Sequence, residues 1–148
     1  MPTDSEHRSV GRWRSIFPAT VWFVFILVLL SLPGTSFPDI RLWKPDKIAH
    51  LLLFGVQAFL VWIALELPYR IPRSSTASII WAASITMVYG ISSEIYQEVA
   101  TTRMADIYDV LANAIGILVF IVAVHIIPPA RLLRLARFFL RFPENEKD

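Results

Sequence analysis

Three short stretches of this chain carry residue types that do chemistry, each at helical spacing. The first holds Asp46, Lys47 and His50, with Gln57 two turns further on. Asp46, His50 and Gln57 fall at i, i+4 and i+11, one face of a helix. The second holds Glu94 and Gln97, at i and i+3, with Gly90 on the same face. A glycine there lets a neighbouring backbone approach closely. The third holds Arg103, Asp106, Asp109 and Asn113. Its last three members have offsets of 0, 3 and 7, a single face that Gly116 continues. Three kinds of chemistry suit these groups. Lys47 and Arg103 suit a phosphate, while the carboxylates suit amines or sugar hydroxyls; Arg103 can also bridge two carboxylates with bidentate bonds. Asp109 or Glu94 as general base, His50 as acid and Arg103 as anion stabiliser would serve acid/base catalysis. His50 with Glu94, Asp106 or Asp109 offers nitrogen and oxygen donors to Zn, Mn or Mg.

The elements that must position these residues are read from the apolar runs. The chain has 148 residues, 55% hydrophobic and 18% charged, with a mean hydropathy of +0.56. Soluble domains carry about 25% charged residues, so a water-soluble core is not expected. The apolar content excludes disorder. The formal net charge of +2 is too small for a nucleic-acid binder. Absence of Cys excludes disulfide staples, Fe–S clusters and thiol catalysis. Four runs are long enough to span a bilayer. They cover Ile16 to Leu32, Ile48 to Leu67, Thr76 to about Gln97, and Ile107 to Ile127. Pro33-Gly34, Pro68 and Pro128-Pro129 end three of them, and Pro18 is expected in the first turn of the first. The first run follows Arg8, Arg12 and Arg14, as a secretory signal would. It exceeds the usual apolar stretch of a signal, however, and no A-x-A-like site follows it. It is read as a retained span. The expected fold is all-α: a polytopic integral membrane four-helix bundle with a C-terminal basic amphipathic helix. Residues 1–15 form a cytoplasmic tail, 16–127 the membrane domain and 128–148 a cytoplasmic amphipathic tail.

Orientation follows the basic residues. Ten lie on one side: Arg8, Arg12, Arg14, Arg70, Arg73, Arg131, Arg134, Arg137, Arg141 and Lys147. Four lie on the other: Arg41, Lys44, Lys47 and Arg103. Both termini are therefore expected in the cytoplasm, at a cell (inner) membrane. The start of span two, the end of span three and the start of span four then share the outer face. Asp46, Lys47, His50, Glu94, Gln97, Arg103, Asp106, Asp109 and Asn113 converge there through topology alone. In the tail, Arg131, Arg134, Arg137 and Arg141 share one helical face opposite Leu132, Leu133, Leu135, Phe139 and Leu140. Such a helix lies on an anionic leaflet, as a lipid contact or a topology anchor.

Taken together and in order, these motifs resemble the VanZ-like membrane protein family. The pattern is D-K-x-x-H at Asp46, Lys47 and His50, then E-x-x-Q at Glu94 and Gln97. It closes with R-x-x-D-x-x-D-x-x-x-N-x-x-G at Arg103, Asp106, Asp109, Asn113 and Gly116. The segment LSLPGTSFPDI before the first motif is also similar to short members, and the resemblance spans roughly Leu30 to Phe120. Between Gln97 and Arg103 this chain reads Glu98-Val-Ala-Thr-Thr where the family often has a Pro-Gly turn. The resemblance implies a bacterial envelope protein of a family named for a protein linked to glycopeptide (teicoplanin) resistance. It fixes no reaction, and a shared fold does not transfer a task.

Three functions compete on these residues. The leading one is a binding protein whose outer-face cluster takes a lipid headgroup, a cell-wall precursor or a glycopeptide-type compound. The second is an intramembrane acid/base or metal-assisted enzyme acting on a lipid-linked substrate. No G-x-S-x-G elbow or H-E-x-x-H pair supports it, and no cofactor is implied. The third is a small transporter or proton relay. Transport sites lie near the midplane, where span two offers only Gln57. Helix locking alone would need fewer charges than these, since interhelical hydrogen bonds average about 0.6 kcal/mol. Trp13 and Trp43 are expected as interface anchors, and Trp22, Trp62 and Trp81 as lipid-facing or packing. His125 is expected at an interface and Glu66 at the cytoplasmic boundary near Arg70.

Overall fold

Prolines and one aspartate set the helix boundaries that matter here. The computed structural model describes residues 4–32, 45–67, 76–101 and 104–140. Helix α1 runs Asp4–Ser31, α2 Pro45–Glu66, α3 Thr76–Ala100, α4 Ile107–Ile126 and α5 Pro129–Leu140. Pro45 opens α2 and Pro129 opens α5, at first positions where a missing N–H is harmless. Asp106 caps α4: its backbone is extended, at φ −118° and ψ 116°, and its carboxylate accepts the Tyr108 N–H at 2.8 Å. α4 ends where Ile127 turns extended, one residue before Pro128. Arg41, Trp43, Lys44, Arg70, Arg73, Arg103, Arg141 and Lys147, and the turns at Pro33-Gly34 and Pro68, lie outside the described residues.

Among the described residues, four helices are long and apolar enough to cross a membrane: Trp13–Ser31, Asp46–Glu66, Thr76–Ala100 and Ile107–Ile126. The first helix differs from the expectation at its start. It begins at Asp4, so Pro18 sits in its interior and not in its first turn. The Arg14 carbonyl thereby loses its usual helical donor. The polar stretch before the apolar run continues the helix, whereas hydropathy marked only the part able to enter lipid.

The bundle is inverted relative to a soluble protein. Val21, Val24, Val28, Leu52, Val56, Ile80, Trp81, Val88, Leu111, Leu118 and Val122 face outward, while His50, Gln57, Thr86, Glu94, Gln97, Asp109 and Asn113 are buried. Water would disfavour that much contiguous apolar surface, and a bilayer favours it. Trp62 is fully buried against Phe120 and Phe59, so it packs, and Trp81 faces out. In α5, Leu133 and Ala136 join the apolar core around Trp62, Phe120 and Val124, while Arg131 and Arg134 stay exposed. Glu66 is the last residue of α2, at the end of its span. It is buried and accepts a hydrogen bond from Ser78 Oγ on α3. His125 is exposed, with Nδ1 at 2.8 Å from the Ile121 carbonyl one turn back.

α2 is the central helix, packed on α1, α3 and most extensively on α4. Its crossing with α4 is made by glycines. The α-carbon of Gly116 lies so close to α2 that a Cβ there would strike the Leu51 carbonyl oxygen and sit 3.0 Å from Gly55 N. Gly90 instead faces side chains, Asn113 and Phe54, rather than a backbone. α1 is tied on by polar contacts: Trp22 Nε1 donates to the Leu53 carbonyl at 3.0 Å, and Tyr89 Oη to the Phe23 carbonyl at 2.8 Å. Trp22→Phe keeps an aromatic ring but removes that donor and part of the indole's contact area. It is expected to cost at least about 0.6 kcal/mol, the average for such bonds in membranes. A thermal melt in detergent measures this, and an unchanged midpoint would show that the bond contributes nothing.

Candidate functional site

The three motif stretches meet at one end of the bundle. α2 supplies Asp46, Lys47 and His50 from its first turns, α3 supplies Glu94 from its last turns, and α4 supplies Asp106, Asp109 and Asn113 from its start. Lys47 Nζ donates to Asp106 Oδ2 at 2.8 Å and to Asp109 Oδ1 at 2.9 Å. It also lies 5.2 Å from the centre of the Tyr108 ring, a cation–π distance. One ammonium thus draws together two carboxylates that would otherwise repel each other across one helical turn.

His50 sits beneath this pair. Its ring is 1% exposed and lies parallel to Phe54, with centroids 6.0 Å apart. Nδ1 is 3.0 Å from Asn113 Oδ1 and 3.7 Å from Glu94 Oε1. Nε2 is 3.9 Å from Asp46 Oδ1 and has no hydrogen-bond partner among the described residues. Glu94 reaches over with its other oxygen, which accepts the Asp106 backbone N–H at 3.2 Å. That bond joins the end of α3 to the cap of α4. The site therefore has a buried floor of His50, Glu94, Asp109 and Asn113. Its lip is partly open, because the side chains of Lys47, Asp106 and Asp46 are 31%, 33% and 36% exposed.

The sequence pattern placed most of these residues. Asp46, Lys47, His50, Glu94, Asp106, Asp109 and Asn113 come together. Gln97 turns aside: it is buried, and its Nε2 donates to the Leu30 carbonyl of α1 at 3.2 Å. Gln57 lies two turns deeper than His50 and is buried. Arg103 lies outside the described residues. Tyr108 and Phe54 were not anticipated. Their signal was weak, since an aromatic in an apolar helix reads as packing or lipid contact until its neighbours are known. For cation donors, the group that clusters is Asp46, His50 and Asp109, whose ligand atoms all lie within 4.8 Å of one another. Asp46 thus stands where the spacing had offered Glu94 or Asp106. Ser92 and Ser93 bond their own helix carbonyls, Val88 and Gly90, at 2.8 Å each.

Four apolar spans, an outward apolar surface and a buried polar cluster at one end define a polytopic α-helical membrane protein. The chain matches the VanZ/LLP1 family over residues 13–128, which takes in all four spans, and it belongs to that family. No curated protein and no solved structure matches it.

Proposed function

We propose that this chain is a binding protein of the bacterial cell (inner) membrane. Its polar site takes the headgroup of a lipid, a lipid-linked cell-wall precursor or a glycopeptide-type compound, with a role in envelope or antibiotic tolerance. The observation that carries this reading is the partly open lip of charges over a buried polar floor, on helices whose remaining surface is apolar. Charges placed this way are costly in a membrane unless they are used. A headgroup phosphate can replace Asp106 on Lys47, because Asp106 retains a partner in the Tyr108 N–H it caps. Asp46, at the open edge, suits an amine or a sugar hydroxyl. In the topology we favour, both termini are cytoplasmic and the site faces outward, in line with ten basic residues against four. α5 then lies at the cytoplasmic leaflet, where its exposed Arg131 and Arg134 meet anionic lipid.

The test uses purified protein in phosphatidylethanolamine nanodiscs, titrated with polyprenyl phosphate and, separately, with teicoplanin. Saturable binding of one of them is expected, weakened about tenfold or more by Lys47→Met, a loss of about 1.4 kcal/mol. Circular dichroism should show unchanged helix content in the variant. Absence of binding to either compound, or binding indifferent to Lys47, would rule out the headgroup site.

A further inference from the structure

We infer that Asp46, His50 and Asp109 form a site for one divalent cation at the mouth of the bundle. The argument starts at the histidine. Nδ1 faces Asn113 Oδ1 at 3.0 Å and the Glu94 carboxylate at 3.7 Å. The amide oxygen of Asn113 only accepts, so the ring proton belongs on Nδ1. Nε2 is then left with a lone pair. It is buried in a ring 1% exposed, without a hydrogen-bond partner among the described residues. What it faces is the Asp46 carboxylate at 3.9 Å, with an Asp109 oxygen inside the same 4.8 Å group. A lone pair facing a carboxylate is repulsive, and a cation placed among the donors of Asp46, His50 and Asp109 reverses the sign. The surroundings match a metal-binding imidazole: the nitrogen opposite the metal donates to an oxygen that fixes tautomer and ring orientation.

One imidazole nitrogen and two carboxylate oxygens suit Zn or Mn, with coordination positions left over for water or a ligand. Lys47 Nζ, 2.9 Å from Asp109 Oδ1, is the local competitor for one of these donors. Asp106 and Glu94 stand outside the donor set. One binds Lys47, and the other accepts the Asp106 backbone N–H. The inference goes beyond headgroup binding, because a cation held by three protein donors needs no headgroup.

The experiment strips the full chain in nanodiscs with EDTA and titrates it with Zn²⁺ or Mn²⁺ alone by calorimetry. One ion per chain is expected. His50→Gln and Asp46→Asn are each expected to weaken binding at least about tenfold, as loss of a ligand or its support does. Nitrogen NMR of the wild-type histidines gives a readout that no variant's folding can confound. The Nε2 resonance of His50 should move on adding Zn²⁺ while Nδ1 keeps its proton. Lys47→Met separates this site from the headgroup reading: it should lose the headgroup and bind Zn²⁺ at least as tightly as wild type. The proposal is overturned by a lack of saturable binding, or by affinity unchanged in both ligand variants. Weaker Zn²⁺ binding in Lys47→Met, or an imidazole protonated on both nitrogens whatever the metal, would overturn it equally.

Discussion

Gly116→Ala is expected to disrupt the α2–α4 pairing and to lose most of the folded protein, although it adds only one methyl group. The new Cβ would strike the Leu51 carbonyl oxygen and sit 3.0 Å from both Leu51 C and Gly55 N, all backbone atoms. A side chain in the way can change rotamer, but here the helices themselves must separate. Overpacking commonly costs about 1–3 kcal/mol, and a clash with rigid backbone belongs at or above the upper end. The loss falls on the most extensive contact in the bundle, the one that sets α2 against α4 and so sets Lys47 against Asp106 and Asp109. Two other glycines grade the prediction. At Gly55 a Cβ would lie 3.1 Å from the Gly116 carbonyl oxygen, which a small shift relieves. At Gly90 it would meet Asn113 Nδ2 at 3.0 Å, an atom at the end of a side chain. The expected order of destabilisation is Gly116 first, then Gly55, then Gly90. Thermal unfolding in detergent, followed by loss of monodisperse protein, measures it. A Gly116→Ala melt within about 0.5 kcal/mol of wild type, the range of innocuous substitutions, would refute the crossing geometry.

The site was legible in sequence because its residues obey two simple rules. Helical spacing put Asp46 with His50, and Asp106 with Asp109 and Asn113, on single faces. An even number of spans between the motifs then brought those faces to one end. Neither rule needs side-chain detail. Both fail where a residue must choose among neighbours. Gln97 shares a face with Glu94, yet it bonds the Leu30 carbonyl on α1, because α1 offers an acceptor at that height. The donor group for a cation could not be chosen from spacing either. Asp46 and Glu94 are equally plausible partners for His50 until α3 is placed. The structure then puts Glu94 on the Nδ1 side and Asp46 on the Nε2 side. Glu66 shows the same limit at the opposite end. A carboxylate at the close of an apolar span reads as a boundary residue, but its partner, Ser78 on α3, is known only once α3 is placed.

Asp109→Asn is expected to abolish function while leaving insertion and folding nearly intact. The side chain is 6% exposed and is the buried member of the Lys47 pair. Asparagine keeps its shape, so α4 keeps its packing. Removing one partner of a buried ion pair can cost 3–5 kcal/mol, but that figure assumes a stranded charge. Lys47 is not stranded here. It is about a third exposed and holds Asp106 at 2.8 Å. Solvent and the second carboxylate reduce the loss to about 1 kcal/mol, the range of a partly exposed charged bond. The functional loss is larger because two roles end together. Lys47 loses its charged partner on the floor of the site and is held by Asp106 alone, and the cation group loses a negatively charged donor. Binding of headgroup and of Zn²⁺ should each fall about tenfold or more. Asp106→Asn is the control on the same helix. Asparagine caps a helix as well as aspartate does, and the residue is already a third exposed, so binding should stay within about threefold of wild type. The check is rescue of an envelope-stress or glycopeptide phenotype in a deletion strain, with membrane-fraction immunoblots showing equal protein. Full rescue by Asp109→Asn at equal abundance would mean that the cluster only fastens helices, since a fastener survives the loss of one bond where a binding site does not.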